Sequence, residues 1–198
     1  SVNEEKSGYF DINYGDKNFA TLTAFSYNDF GDLKMGKSKN HNGDFFGERT
    51  KYVETLNGID ILTQNDNKYI QIGSAFKQYN FMQKLVYTSK SGYTHNVNFQ
   101  YSTSSKINRY DRLTDPSPSG LKSAEWYYGP QEWMMNLLTV THRTKNAAYD
   151  QMTIRLAHQM FGESRHDRDF NKTTLANRME KVLALSANVD FIKLRGIK

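Results

Sequence analysis

The chain has 198 residues, a formal net charge of +5, 37% hydrophobic and 14% aromatic residues, and no cysteine. The missing cysteine excludes disulfide frameworks, thiolate metal sites and cysteine nucleophiles. No apolar run reaches the length of a membrane-spanning helix, which excludes a helical membrane protein but leaves transmembrane β-strands open, since their signal per segment is weak.

The opening SVNEEKSGYF has no basic start followed by an apolar run, so no signal peptide is expected in it; a processed chain or a piece of something longer is. A strand is predicted near 8–14, where Phe10, Ile12 and Tyr14 alternate with Asp11 and Asn13, because successive strand side chains point to opposite faces. Past the short turn Gly15-Asp16-Lys17 a second strand, near 18–29, is rich in Thr and aromatics. A long connection then runs from Phe30 to Lys68. Its Asp60, Asn65, Asp66 and Asn67 have the oxygens calcium takes, but the EF-hand spacing is absent and polar turn chemistry explains them.

A strand near 69–88 starts with Ile70, Ile72 and Phe76 on one parity. It ends with Phe81, Leu85 and Tyr87 on the other, which predicts a bulge near Gln78 to Asn80. Ser74 and Lys77 match S-x-x-K, but no companion motif is present. The next strand, near 93–103, alternates almost without error: Tyr93, His95, Val97, Phe99 and Tyr101 against Thr94, Asn96, Asn98, Gln100 and Ser102. A second long connection, Thr103 to Gln131, holds Pro116, Pro118 and Pro130. Strands are predicted near 131–143 and 148–161, the latter setting Met152, Ile154, Leu156 and Met160 against Gln151, Thr153, Arg155 and Gln159. A third connection spans Gly162 to Thr174. The last segment, 175–187, is ambiguous. Leu175, Met179, Val182 and Leu183 fit a helix face, and its Ala, Glu and Lys content favours helix on local grounds.

Short turns and long connections therefore alternate along the chain. An outer-membrane barrel has this alternation, with strands of about ten residues, an apolar outer face and aromatic girdles. Tyr14, Tyr87, Tyr93, Tyr101, Tyr149 and Phe161 would fill the girdles. A half-buried sheet in a soluble β-domain shows the same strand pattern, and both readings stay open on pattern alone.

KINRYDRL (106–113), AEWYYGPQ (124–131) and GESRHDRDF (162–170) resemble loop signatures of TonB-dependent outer-membrane receptors, in particular of the Bacteroidetes type. SYNDFGDLKMG (26–36) and NRMEKVLALSANVDF (177–191) are similar to barrel segments of that family. The resemblance covers most of the chain and implies that the last segment is a strand. It implies an all-β fold: an antiparallel transmembrane β-barrel segment, short turns on one side and long loops on the other. The whole 1–198 stretch would be a middle portion of a plugged barrel of 22 strands, with the plug and TonB box absent. The function implied is uptake, without catalysis or a cofactor, of a ferric siderophore, haem or cobalamin across the bacterial outer membrane. The partners implied are outer-membrane lipid, the rest of the barrel with its plug, TonB acting through that plug, and the chelate or cofactor carried; nucleic acid is not expected.

The ligand-binding candidates are Arg109, Tyr110, Arg112, Trp126, Tyr127, Tyr128, Arg165 and Arg168, all expected in the two later long loops. Arg offers a planar fork to carboxylates and anionic chelates, and Trp and Tyr give rigid amphipathic surface. ESRHDR would equally serve as an ion-pair network stapling one loop to the next. His158, Glu163 and His166 have ligand types without a converging set, so no metal site is expected. The competing function is a soluble basic all-β module for carbohydrate or nucleic acid, whose aromatics stack and whose Lys and Arg hold phosphates.

Overall fold

The computed structural model describes residues 3–37 and 47–194. The two ends of the expected 1–198 barrel segment, and part of the Phe30–Lys68 connection, lie outside the described residues. In chain order the elements are β1 (Lys6–Gly15), β2 (Phe19–Phe30), β3 (Leu33–Lys34), β4 (Lys51–Leu56), β5 (Ile59–Gln64), β6 (Ile70–Gln71), β7 (Phe76–Thr88), β8 (Tyr93–Ser104), β9 (Ile107–Asn108), α1 (Tyr110–Leu113), β10 (Pro116–Ser117), β11 (Gly120–Leu121), β12 (Ser123–Tyr128), β13 (Glu132–Arg143), β14 (Gln151–Asp169) and β15 (Ala176–Ile192).

The fold is all-β and antiparallel. Seven long strands, β1-β2-β7-β8-β13-β14-β15, pair strictly in chain order as a meander. The sheet does not close among the described residues: β1 and β15 are its two free edges. Local chemistry sets the short turns. Asp16 accepts the Lys17 amide at 2.7 Å, and the Ser89 hydroxyl accepts the Tyr93 amide at 3.1 Å while Gly92 takes φ +82°.

The segment at 175–187 is strand, β15, as the resemblance implies and against its local helix preference, because it pairs with β14 along its full length. Three expectations need correction. Residues 162–170 are not a loop; β14 runs on through Asp169 with β15 beside it as far as Asp167↔Ala176. No bulge interrupts Gln78 to Asn80, which pair regularly on both sides. The parity change is a real boundary instead. Ile70 and Gln71 pair with Leu33 and Lys34, and Asp32 then caps the amides of Gly73, Ser74 and Ala75 at 2.8–2.9 Å before β7 begins. Phe161 leaves the girdle, since it lies on the opposite face from Met160, directly across from Trp133.

The cross-strand register assigns every side chain to one of two faces. One face is apolar and ringed. It carries Ile12 and Phe10, Phe25, Phe81 and Leu85, Val97 and Phe99, Leu138 and Val140, Ile154 and Leu156, Leu185 and Val189. Toward the short turns it is bordered by a run of rings: Tyr87 and Tyr93 stack with His95, Tyr93 stacks with His142 at 4.0 Å, and Tyr149 meets both His142 and Phe191. Toward the long connections Tyr27 and Tyr79 pair at 5.0 Å. The few polar groups on this face bond one another: Gln83 joins Thr23 and Thr21, and Asn136 joins His158. The other face is mainly polar, with Asn80 linking Ser26 to Ser102 and Arg155 reaching Asn188 and Asp190, although Leu22, Met82, Trp133, Leu137 and Phe161 also lie on it.

Nothing among the described residues covers the apolar face. Among the described residues only Ala24 and Leu113 are buried hydrophobics, while Val97 is 43% and Leu185 74% exposed. The accessible surface is 13532 Å²; a compact monomer of this mass exposes roughly 9,600 Å². This is a single layer of sheet without a core. No helix among the described residues is long and apolar enough to cross a membrane, a test that does not bear on strands.

Candidate ligand-binding site

The site forms where the sheet outgrows its short strands. β12 and β13 lie end to end along β14, β12 facing Arg165–Asp169 and β13 facing Gln151–Gly162. Between them Gly129, Pro130 and Gln131 oppose only Glu163 and Ser164, an extra residue that forms a bulge. Gly129 takes φ +88°, and a Cβ there would sit 2.7 Å from the Gln131 amide nitrogen. Its own amide donates to Ser164 at 2.8 Å. The bulge thus sets β12 beside the far end of β14, next to β9 and the turn α1.

The register separates the eight candidate residues. On the polar face Trp126 and Tyr128 sit across from Asp167 and Arg165. The Arg109 guanidinium lies 5.0 Å and that of Arg165 5.9 Å from the Trp126 ring centre, and Arg165 is also 5.5 Å from Tyr128. Arg109 donates to the Tyr128 hydroxyl at 3.3 Å and to both oxygens of Asp111 at 3.0 and 3.2 Å. Arg112 lines the same cleft, paired with Asp115 at 3.3 Å. The cleft holds about 620 Å³. Arg165 lies directly opposite Arg178, a like-charge neighbour that costs stability unless something anionic lies between. Arg178 is neutralised by Asp167, whereas the buried Arg165 Nε has no hydrogen-bond partner among the described residues.

Tyr110, Tyr127 and Arg168 are elsewhere. Tyr127 is on the opposite side of β12, stacked on His166 at 4.5 Å with Lys106 over its ring. Tyr110 lies under the Arg49 guanidinium. Arg168 is the centre of a buried staple. Its Nη1 and Nη2 grip Asp60 at 2.7 and 2.9 Å, Nε donates to Glu125 at 2.8 Å, and the remaining bonds go to the Lys172 carbonyl and the Thr55 hydroxyl. All five of its N–H groups are used, so none is left for a ligand. Asp60, its side chain 1% exposed, also accepts from Thr55 and the Asn171 amide. The Arg168 hydrogen bonds lower its pKa to about 2, with Thr55 and the Asn171 amide adding to the effect and burial opposing it.

The staple fixes the β4–β5 hairpin, an element not foreseen in the Phe30–Lys68 connection. Its signal is legible in retrospect: Asn57-Gly58, both at positive φ, between Val53, Leu56, Ile59 and Ile61 is a strong short-range hairpin mark. Asn65 behaves as turn chemistry, donating to the Arg49 and Ile70 carbonyls and accepting from the Asn67 amide. His158 and His166 are eight residues apart on β14 and bond Asn136 in one case, Ser164 and Asn177 in the other. No metal-binding group of acidic and histidine residues forms among the described residues. Ser74 bonds the Gln71 carbonyl and Lys77 pairs with Asp29, so they do not act as a pair.

No family model, curated protein or solved structure matches the chain.

Proposed function

We propose that the chain is a section of an outer-membrane β-barrel of the TonB-dependent receptor type, which takes up a scarce anionic or aromatic ligand such as a ferric siderophore, haem or cobalamin. One observation carries this reading: a single-layer antiparallel meander whose apolar, ring-bordered face is uncovered. In water such a face is an aggregation liability; against lipid it is the wall of a barrel. Tyr79 and Tyr87 are eight residues apart, roughly 27 Å along the strand. A tilt of about 40° reduces that to roughly 20 Å, close to the height of a barrel's apolar band. The strands of ten or more residues suffice to cross it.

The polar face then lines the lumen, and the cleft lined by Arg112, Trp126, Arg165 and Arg178, with Arg109 against Trp126 and Tyr128 against Arg165, stands at the mouth with the long connections. A guanidinium stacked on aromatic rings, its buried Nε without a partner among the described residues, suits an anionic or conjugated ligand. The experiment is to locate the native polypeptide in a fractionated cell envelope and extract it with and without detergent. Outer-membrane residence with detergent-dependent solubility supports the reading; a monomer soluble without detergent would end it.

A further inference from the structure

A second site lies on the other side of the sheet extension, beneath the β4–β5 hairpin. There Arg49 is 4% exposed, yet its Nε and Nη1 make no hydrogen bond among the described residues. Its backbone is fixed, the amide donating to the Lys68 carbonyl and the carbonyl accepting from Asn65. Its guanidinium sits 5.0 Å from the Tyr110 ring centre, and the Tyr110 hydroxyl is likewise buried without a partner. Burial pushes the Arg49 pKa down, opposed by the adjacent Tyr110 and, more weakly, by the charge of Asp32. The nearby carboxylates are committed: Glu48 to Lys68, Asp32 to three backbone amides, Glu125 to Arg168, Glu54 to Tyr52 and Thr63. Among the described residues none of these carboxylates bonds the Arg49 guanidinium, and a buried charge short of hydrogen-bond partners is costly to hold.

Arg49 borders a cavity of about 280 Å³ between the hairpin and β12, whose lining also includes Lys106, Asn108 and Tyr52. We infer that this cavity binds a small oxyanion, a phosphate or carboxylate group, with Arg49 as its principal ligand and Lys106 as the second cation. Tyr110 is then a positioning residue that holds the guanidinium flat. The Arg168–Asp60 staple roofs the site by keeping the hairpin down. The site stands whether or not the sheet lies in a membrane, and it is separate from the cleft on the polar face.

The test is calorimetric titration of the native polypeptide with inorganic phosphate and, separately, acetate, in chloride buffer. The expected result is saturable binding of one or both, one per chain, with a Kd of roughly millimolar or tighter. Arg49→Gln weakens it about tenfold or more, the loss of a charged hydrogen-bond donor. Lys106→Gln, a change at an exposed side chain, weakens it roughly threefold. Absence of saturable binding for both anions overturns the assignment. So does a folded Arg49→Gln protein that binds as tightly as the parent. If Arg49→Gln does not fold, unchanged affinity in Lys106→Gln overturns it instead.

Discussion

Asp60 and Arg168 hold the first long connection of the molecule to its sheet, across 108 positions of sequence. Removing one partner leaves the other charged and buried, which costs about 3–5 kcal/mol. Arg168→Met is therefore expected to free residues 51–64 while the sheet stays paired; hydrogen exchange should show protection lost in β4 and β5 and kept in β7 and β8. The pair also predicts a pH dependence. The folded pKa of Asp60 is depressed, so its contribution is complete above its unfolded value of about 3.9. It is lost as pH falls from there through about 2. Pepsin, active throughout that window, should cut within 51–64 increasingly between those limits; a hairpin equally resistant at both would show that the ion pair does not hold it. The staple role of Arg168 was legible as one reading of ESRHDR, an ion-pair network, but its partner was not, since Asp60 lay among turn-forming Asp and Asn. Only a pairing across the chain distinguishes such residues from solvated ones.

At the scale of elements, β8 was the easiest to read because its two faces meet different surroundings over their whole length. β14 was half legible. Its first part alternates Met152, Ile154 and Leu156 with polar residues, but beyond Gly162 both faces are polar and the period-two signal ends although the pairing continues. The bulge at Gly129 was hidden for a different reason, since Pro130 reads as a loop whether or not strands flank it. Gly129→Ala is expected to destabilise the β12 extension by about 1–3 kcal/mol, the cost of a side chain at a left-handed position. Loss of the Trp126 fluorescence environment on substitution, with β13 intact, would report it. The faces themselves are tested by neighbours on one strand. Val97 and Asn96 are both exposed and point to opposite sides. Val97→Arg near the middle of the apolar band should cost about 2–4 kcal/mol and block membrane assembly, while Asn96→Arg should be nearly neutral. Equal tolerance of both would mean that the apolar face meets water.

For the whole molecule the open edges decide what the chain can be. Along β1 and β15 roughly every second residue presents an amide and a carbonyl to no strand. In hydrocarbon each unpaired group costs several kcal/mol, so a sheet with two such edges has no stable place there alone. In water the same edges, beside an uncovered apolar face, template association. Closure by further strands of the same native polypeptide relieves both problems at once. If the chain is the barrel section proposed, residues 1–198 expressed alone form detergent-resistant aggregates, whereas the native polypeptide inserts and migrates as a compact species in unheated detergent gels. Cysteines placed on β1 and β15 of that polypeptide should cross-link within one chain to strands outside this segment. Cross-links formed only between separate copies would instead make the barrel an assembly of this chain. A monomer of residues 1–198 that unfolds cooperatively in water would remove lipid from the account, because its apolar face would then need a protein cover that the single-layer sheet does not possess.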